Sequence, residues 1–165
     1  MKNIVLIGMP GCGKSTLGVI LAKTLGMDFV DTDLIIQQRE KRLLQDIIDC
    51  DGLEKFLDIE SEAILSREYT NSVISTGGSA VFRQNAMAHL KKNSLVVFLD
   101  VSPRILKNRL KNIKTRGIAA DKNEDIDTIY NKRLPLYRKY ADYTLNSSGE
   151  SVETSVEKII EILKN

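Results

Sequence analysis

Cysteine and histidine are scarce in this chain, with Cys12, Cys50 and His89 the only three among 165 residues. Three such residues build neither a disulfide framework nor a Cys/His metal set, and unpaired thiols point to the cytosol. Long apolar runs are missing too: none approaches the ~20 residues that cross a bilayer, so no membrane partner is expected. Nor is there an excess of one charge. Twenty-four Lys and Arg against 22 Asp and Glu give a net +2, which argues against a dedicated nucleic-acid binder. Internal repeats and low-complexity segments are absent, and Met1-Lys2-Asn3 ahead of the first apolar stretch leaves no room for a signal peptide. What remains is 42% hydrophobic and 28% charged, the profile of one ordinary globular domain over residues 1–165, expected to act as a monomer.

The chain is organised around residues 4–16. Ile4-Val5-Leu6-Ile7 predicts a strand buried on both faces. Gly8-Met9-Pro10-Gly11-Cys12-Gly13-Lys14-Ser15 follows it and fits G-x-x-x-x-G-K-[ST] at every fixed position. Glycines at that spacing let several N–H groups point into one concavity, and the next helix aims its positive end at the same spot. Lys14 supplies a cation for the β- and γ-phosphates and the Ser15 hydroxyl can complete a Mg²⁺ shell. The stretch is a nucleotide-phosphate site. Cys12 is expected to be a small filler within it.

Downstream, Leu17, Ile20, Leu21 and Leu25 predict a helix that stops at Gly26, and 27–30 a second strand ending at Asp31-Thr32-Asp33. Two short helices are expected within 34–50, and a longer one over 52–69 with Phe56, Leu57, Glu60 and Ile64 along one side. Residues 72–75 predict a third strand, 82–92 a helix and 95–99 a fourth strand. Ser102 and Pro103 cap and open a helix over 103–112. The aperiodic stretch 113–123 reads as a mobile surface segment. A helix from 124 is expected to end at Pro135, followed by a strand at 143–145 and an amphipathic helix through Val152, Val156, Ile159 and Leu163. Strands alternating with helices imply a five-stranded parallel sheet covered on both faces, with ligands at the carboxyl ends of its strands.

Several polar groups are candidates for chemistry. If the second strand continued to Asp33, Asp31 and Asp33 would face the phosphate loop together; one could serve Mg²⁺ and the other a hydroxyl acceptor, although either also suits a helix N-cap. Thr76-Gly77-Gly78 closes the third strand either as a plain turn or where backbone approaches a ligand. Arg116, beside Gly117, can neutralise charge on a transferred phosphoryl group. Arg133, before Leu134-Pro135, is aimed into a pocket or makes a surface salt bridge. His89 reads as a surface helix residue. Asp49-Cys50-Asp51-Gly52 spells the D-x-x-G of GTPases but closes no hydrophobic strand.

Gly8 to Thr16, Asp31-Thr32-Asp33, Thr76-Gly77-Gly78, the Arg116 segment and Lys132-Arg133-Leu134-Pro135-Leu136-Tyr137 occur in this order over the whole chain. Together they resemble the shikimate kinase family, small relatives of the nucleoside monophosphate kinases. The resemblance implies a three-layer α/β/α P-loop kinase fold with substrate-binding helices at about 34–69 and a lid at about 113–123. It implies Mg²⁺-dependent transfer of the ATP γ-phosphoryl to the 3-hydroxyl of shikimate. Gly11, Cys12, Gly13, Lys14, Ser15 and Thr16 would then hold ATP, with Arg109 against adenine and Arg116 over the phosphates. Asp31 would join Ser15 at the metal. Asp33 would bind shikimate hydroxyls and accept the proton, Lys14 and Arg116 assisting catalysis. Gly77 and Gly78 would contact shikimate through backbone, and Arg133 would pair with its carboxylate. Three departures from the family pattern stand out: Leu57 replaces an arginine of the carboxylate clamp, Ser79 a glycine, and Gly117-Ile118 a Pro-Leu. Loss of a charge-assisted contact worth ~1.5–3 kcal/mol leaves two routes open. Either a cation such as Lys55 or Arg67 substitutes, or the acceptor is another small hydroxylated acid or sugar acid.

Overall fold

Five residues, Asn3–Ile7, form β1, and all five are buried. The computed structural model describes residues 2–111, 117–121 and 123–164. A strand with no exposed side needs neighbours on both edges and cover on both faces. β1 pairs in parallel with β3 (Ser72–Ser75) on one edge and β4 (Ser94–Asp100) on the other. β2 (Asp28–Asp31) and β5 (Tyr143–Asn146) complete the all-parallel order β2-β3-β1-β4-β5.

The connection from β1 to β2 runs toward one edge of the sheet, and the later connections run toward the other. Right-handed crossovers therefore put their helices on opposite faces. α1 (Lys14–Leu25) covers one face, joined by α8 (Val152–Lys164), which packs against it. The other face takes α2 (Thr32–Glu40), α3 (Leu44–Asp51), α4 (Leu53–Leu65), α5 (Gln84–Lys91), α6 (Pro103–Leu110) and α7 (Ile126–Tyr140). The direction reverses at β1, and the loop after such a strand opens onto the ligand crevice of a doubly wound sheet. A second apolar cluster, including Ile36, Ile47, Phe56, Leu57 and Ala119, binds α2–α4 into a module beside the main core.

Some boundaries differ from expectation. α4 stops at Leu65, not 69, because Tyr69 turns back and donates its hydroxyl hydrogen to the Ile64 carbonyl at 3.0 Å. The helix expected over 82–92 splits into a 3-10 turn, Ala80–Phe82, and α5, separated by extended Arg83. Pro135 does not end α7, which runs on to Tyr140. The missing N–H leaves the Asn131 carbonyl without its helical donor, at an exposed position of the helix. Ser102 occupies the N-cap position of α6 but makes no capping bond through its side chain; Pro103 at the first helical position has no N–H to cap. Asp49 to Gly52 closes a helix and not a strand, which removes the GTPase motif. His89 is half-buried, its Nε2 within 2.9 Å of the Arg67 carbonyl oxygen. Much of the stretch expected to be mobile, Arg116 included, lies outside the described residues, and Ala119, which is described, is buried in the second cluster.

Candidate active site

The phosphate loop joins β1 to α1 with Gly13 as the helix N-cap in the left-handed region, φ +96°, a conformation that costs a side-chain-bearing residue ~1 kcal/mol or more. Lys14 is 7% exposed and its ammonium donates to the Gly8 and Met9 carbonyls at 2.8 and 2.9 Å. Cys12 is buried beneath it and fills space, as its place in the loop suggested. Thr16 is exposed at the first turn of α1. Beyond it a second cleft is lined by Cys12, Gly13, Thr16 and Arg109, and Arg109 Nη1 donates to the Gly11 carbonyl at 3.1 Å.

β2 ends at Asp31, so Asp31 and Asp33 do not share a pleat face as a longer strand would have required. The strand stops because the Asp31 side chain caps α2, its Oδ1 accepting from the Asp33 N–H at 2.9 Å. Its other oxygen, Oδ2, accepts from the Ser15 hydroxyl at 3.0 Å, and Ser15 Oγ lies 3.2 Å from Ser75 Oγ. Asp31 thus caps a helix and reaches the phosphate loop with one carboxylate. Asp33, in the first turn of α2, lines a cleft with Gly13, Lys14 and Ser15.

Free space in that cleft is narrow, about 40 Å³, room for a few water molecules. Gly77 and Gly78 form part of its wall, and a side chain on either would force neighbouring groups to shift. A Cβ on Gly77 would lie 2.5 Å from Glu60 Oε2 and 2.9 Å from Asp33 Oδ1; one on Gly78 would lie 2.8 Å from Arg133 Nη1. The backbone of Gly77 and Gly78 is thus crowded by the side chains that line the cleft. Gly117, Ile118 and Ala119 close another side.

Arg133 is 2% exposed, which rules out the surface salt bridge. Its Nη2 donates to the Ala119 carbonyl at 2.6 Å and its guanidinium lies 5.5 Å from the centre of the Phe82 ring. Lys55 and Arg67 are exposed, and neither lines the cleft, so neither replaces the missing arginine. Leu57, 5% exposed, packs in the second apolar cluster.

Two residues of this site were not singled out from sequence. Tyr137, fully buried and stacked on Phe98, donates its hydroxyl hydrogen to the Gly78 carbonyl at 2.6 Å and so braces the turn. Burial pushes its phenol up. Its signal was the Lys132–Tyr137 motif, in which Arg133 and Tyr137 stand four apart on one helix face. Glu60, 2% exposed on α4, accepts from the Ser79 hydroxyl at 2.7 Å through Oε1. Burial, with Asp33 nearby, raises its carboxyl from 4.5 to about 8. An acidic residue within an apolar helix stripe was the available sign.

A phosphate loop at the sheet's switch point, with a small polar cleft beside it holding a carboxylate and a buried arginine, defines a P-loop phosphotransferase for a small acceptor. Known proteins narrow the class. The family model for shikimate kinase matches residues 10–164. The shikimate kinase of Thermodesulfovibrio yellowstonii is 40% identical over 163 residues, 97% of this chain and 94% of that one. That of a Sulfurihydrogenibium species is 38% identical over 167 residues, 99% of each. The structure of the Acinetobacter baumannii shikimate kinase in complex with shikimate superposes with a TM-score of 0.90 at 28% identity, covering 99% of this chain and 93% of that one. The chain belongs to the shikimate kinase family and is a phosphotransferase acting on a hydroxyl group, with ATP as co-substrate.

Proposed function

We propose that the protein transfers the γ-phosphoryl of ATP to the 3-hydroxyl of shikimate, in the cytosol. The observation that carries this reading is the convergence of Asp33, Gly77, Gly78 and Arg133 on one cleft that also contains Lys14 and Ser15 of the phosphate loop. Backbone N–H groups of Gly11 to Thr16 cradle the phosphates at the positive end of α1. Lys14, leaving its loop carbonyls, meets the β- and γ-phosphate oxygens. Ser15 Oγ and Asp31 Oδ2, 3.0 Å apart, are hard oxygen donors that suit Mg²⁺ with phosphate and water completing the shell. Mg²⁺ held there would neutralise charge on the transferred group. Arg116, which the family resemblance sets against the same charge, would assist there, and Arg109 flanks the base in the second cleft.

Asp33 orients the acceptor hydroxyl and accepts its proton as the new P–O bond forms. Arg133 pairs with the substrate carboxylate, and Gly77 and Gly78 let the sugar-like ring lie against backbone. A second reading, transfer to another hydroxylated acid or sugar acid, is favoured by Leu57, which leaves Arg133 as the only guanidinium lining this cleft among the described residues.

ATP consumption by the purified protein with shikimate, gluconate, other sugar acids and no acceptor separates the two. Shikimate should stimulate turnover, and Asp33→Asn should abolish that stimulation while leaving ATP binding nearly intact. No shikimate-dependent turnover at millimolar substrate would overturn the reading.

A further inference from the structure

The roles above leave Glu60 unused. It stands one helical turn after Leu57, on the side of α4 that meets the acceptor cleft, and lines that cleft with Asp33 and Arg133. Its Oε1 accepts from Ser79 Oγ, whereas Oε2 is buried with no hydrogen-bond partner among the described residues. That free oxygen leans over Gly77 from the same side as Asp33 Oδ1. Two carboxyl groups therefore converge on the turn against which the acceptor lies.

We propose that Glu60 keeps its proton in the working enzyme and donates it from Oε2, as a hydrogen bond, to the carboxylate of the bound acid. It thereby supplies the second contact that Leu57 cannot make. The inference rests on the shikimate reading above. An ionised Glu60 would be a buried charge beside Asp33, with one oxygen unsatisfied and an incoming anion next to it. A neutral carboxyl accepts the Ser79 hydrogen with one oxygen and offers a donor with the other. A bond from such a donor to a carboxylate is of the short, strong kind.

The surrounding groups agree. Asp33 on α2 disfavours ionisation; Arg133 on α7 and Arg83 after the 3-10 turn favour it, as does the Ser79 hydroxyl. Arg83 is already engaged by Glu54 and Asp58, Arg133 donates to Ala119, and Lys14 donates to loop carbonyls. The acidic residues of α3, Asp46, Asp49 and Asp51, are exposed, and His89 on α5 is within hydrogen-bond distance of the Arg67 carbonyl. Burial dominates, and the carboxyl is held near 8.

Acceptor binding is then linked to one proton. Isothermal titration of shikimate into the nucleotide-free protein should give a constant Kd below pH 8 and a roughly tenfold rise per pH unit above it, with proton uptake reaching about one per binding event in that range. Glu60→Gln, which keeps a neutral donor, should flatten the rise and abolish the uptake. A flat wild-type profile to pH 9.5, or the same slope in the variant, overturns the inference while leaving the shikimate reading intact. Absence of shikimate binding at pH 6.5 removes that reading instead. The proton is then followed by carbon-13 NMR of the Glu60 carboxyl in the free wild-type protein: titration near pH 8 upholds the neutral donor, titration near pH 4.5 refutes it. That second measurement also stands if the variant fails to fold.

Discussion

Glu60→Gln should stabilise the folded protein, and by more as the pH rises. A carboxyl whose pKa is higher in the folded chain than in the unfolded one takes up a proton on folding between the two values. Stability is therefore greatest below the ordinary value of 4.5, falls as pH climbs, and levels off above about 8. At 1.36 kcal/mol per pH unit, holding this group neutral removes about 3 kcal/mol of stability at pH 7 and roughly 4 kcal/mol at pH 8, against a total of ~5–15 kcal/mol for a domain. Glutamine has nearly the same shape. Its amide oxygen can accept from Ser79 and its NH₂ takes the place of the Oε2–H, so little else changes. Urea unfolding of both proteins at pH 5, 6, 7 and 8 should show the variant's advantage growing by about 1 kcal/mol per unit. In thermal scans, ~3 kcal/mol at pH 7 corresponds to roughly 6–12 °C for a domain of this size. Parallel stability curves across this range would show that Glu60 is charged in the folded protein and would refute the reasoning, including the basis for proton-linked binding.

Leu57→Arg places a guanidinium one turn from Glu60 and gives Oε2 an ionic partner. Shikimate Kd should tighten by about tenfold to a few hundredfold and lose its rise above pH 8, as read by calorimetry; an unchanged Kd would mean that position 57 does not reach the acceptor. The same change should lower Tm, because Leu57 is 5% exposed within an apolar cluster and a buried guanidinium brings a desolvation penalty. Arg133→Lys keeps the charge but loses the planar fork that bonds the Ala119 carbonyl and faces Phe82. It should raise KM for shikimate by roughly tenfold to a hundredfold with KM for ATP nearly unchanged in steady-state assays.

The parts of this protein that could be read from sequence are those whose cause lies within a few residues. An unbroken apolar stretch is a buried strand wherever it sits, and β3 runs over the same residues, 72–75, that the pattern marks. The glycine spacing of the phosphate loop is likewise self-contained. Where a distant group decides, local rules fail. Pro135 stays inside a helix that runs on to Tyr140, at a turn whose freed carbonyl belongs to an exposed residue. Asp31 ends its strand by capping α2 while reaching Ser15, which is 16 residues earlier.

Glu60 is the sharpest case. In sequence, Leu57 and Ser79 look like two unrelated departures from the family pattern, 22 positions apart. In space they concern one carboxyl group: Leu57 withholds a cation from the turn before it, and Ser79 gives it a hydroxyl at 2.7 Å. A hydroxyl can hydrogen-bond either protonation state of Glu60, whereas a guanidinium would enforce the charged one. Taken singly, Leu57 is a lost anion contact that weakens the case for shikimate. Taken with Ser79 and the buried Oε2, it is a change from a charged clamp to one held by a proton, and the acidic acceptor still has two groups to bind. Substrate assignment from a missing arginine therefore turns on the protonation state of Glu60, one helical turn away.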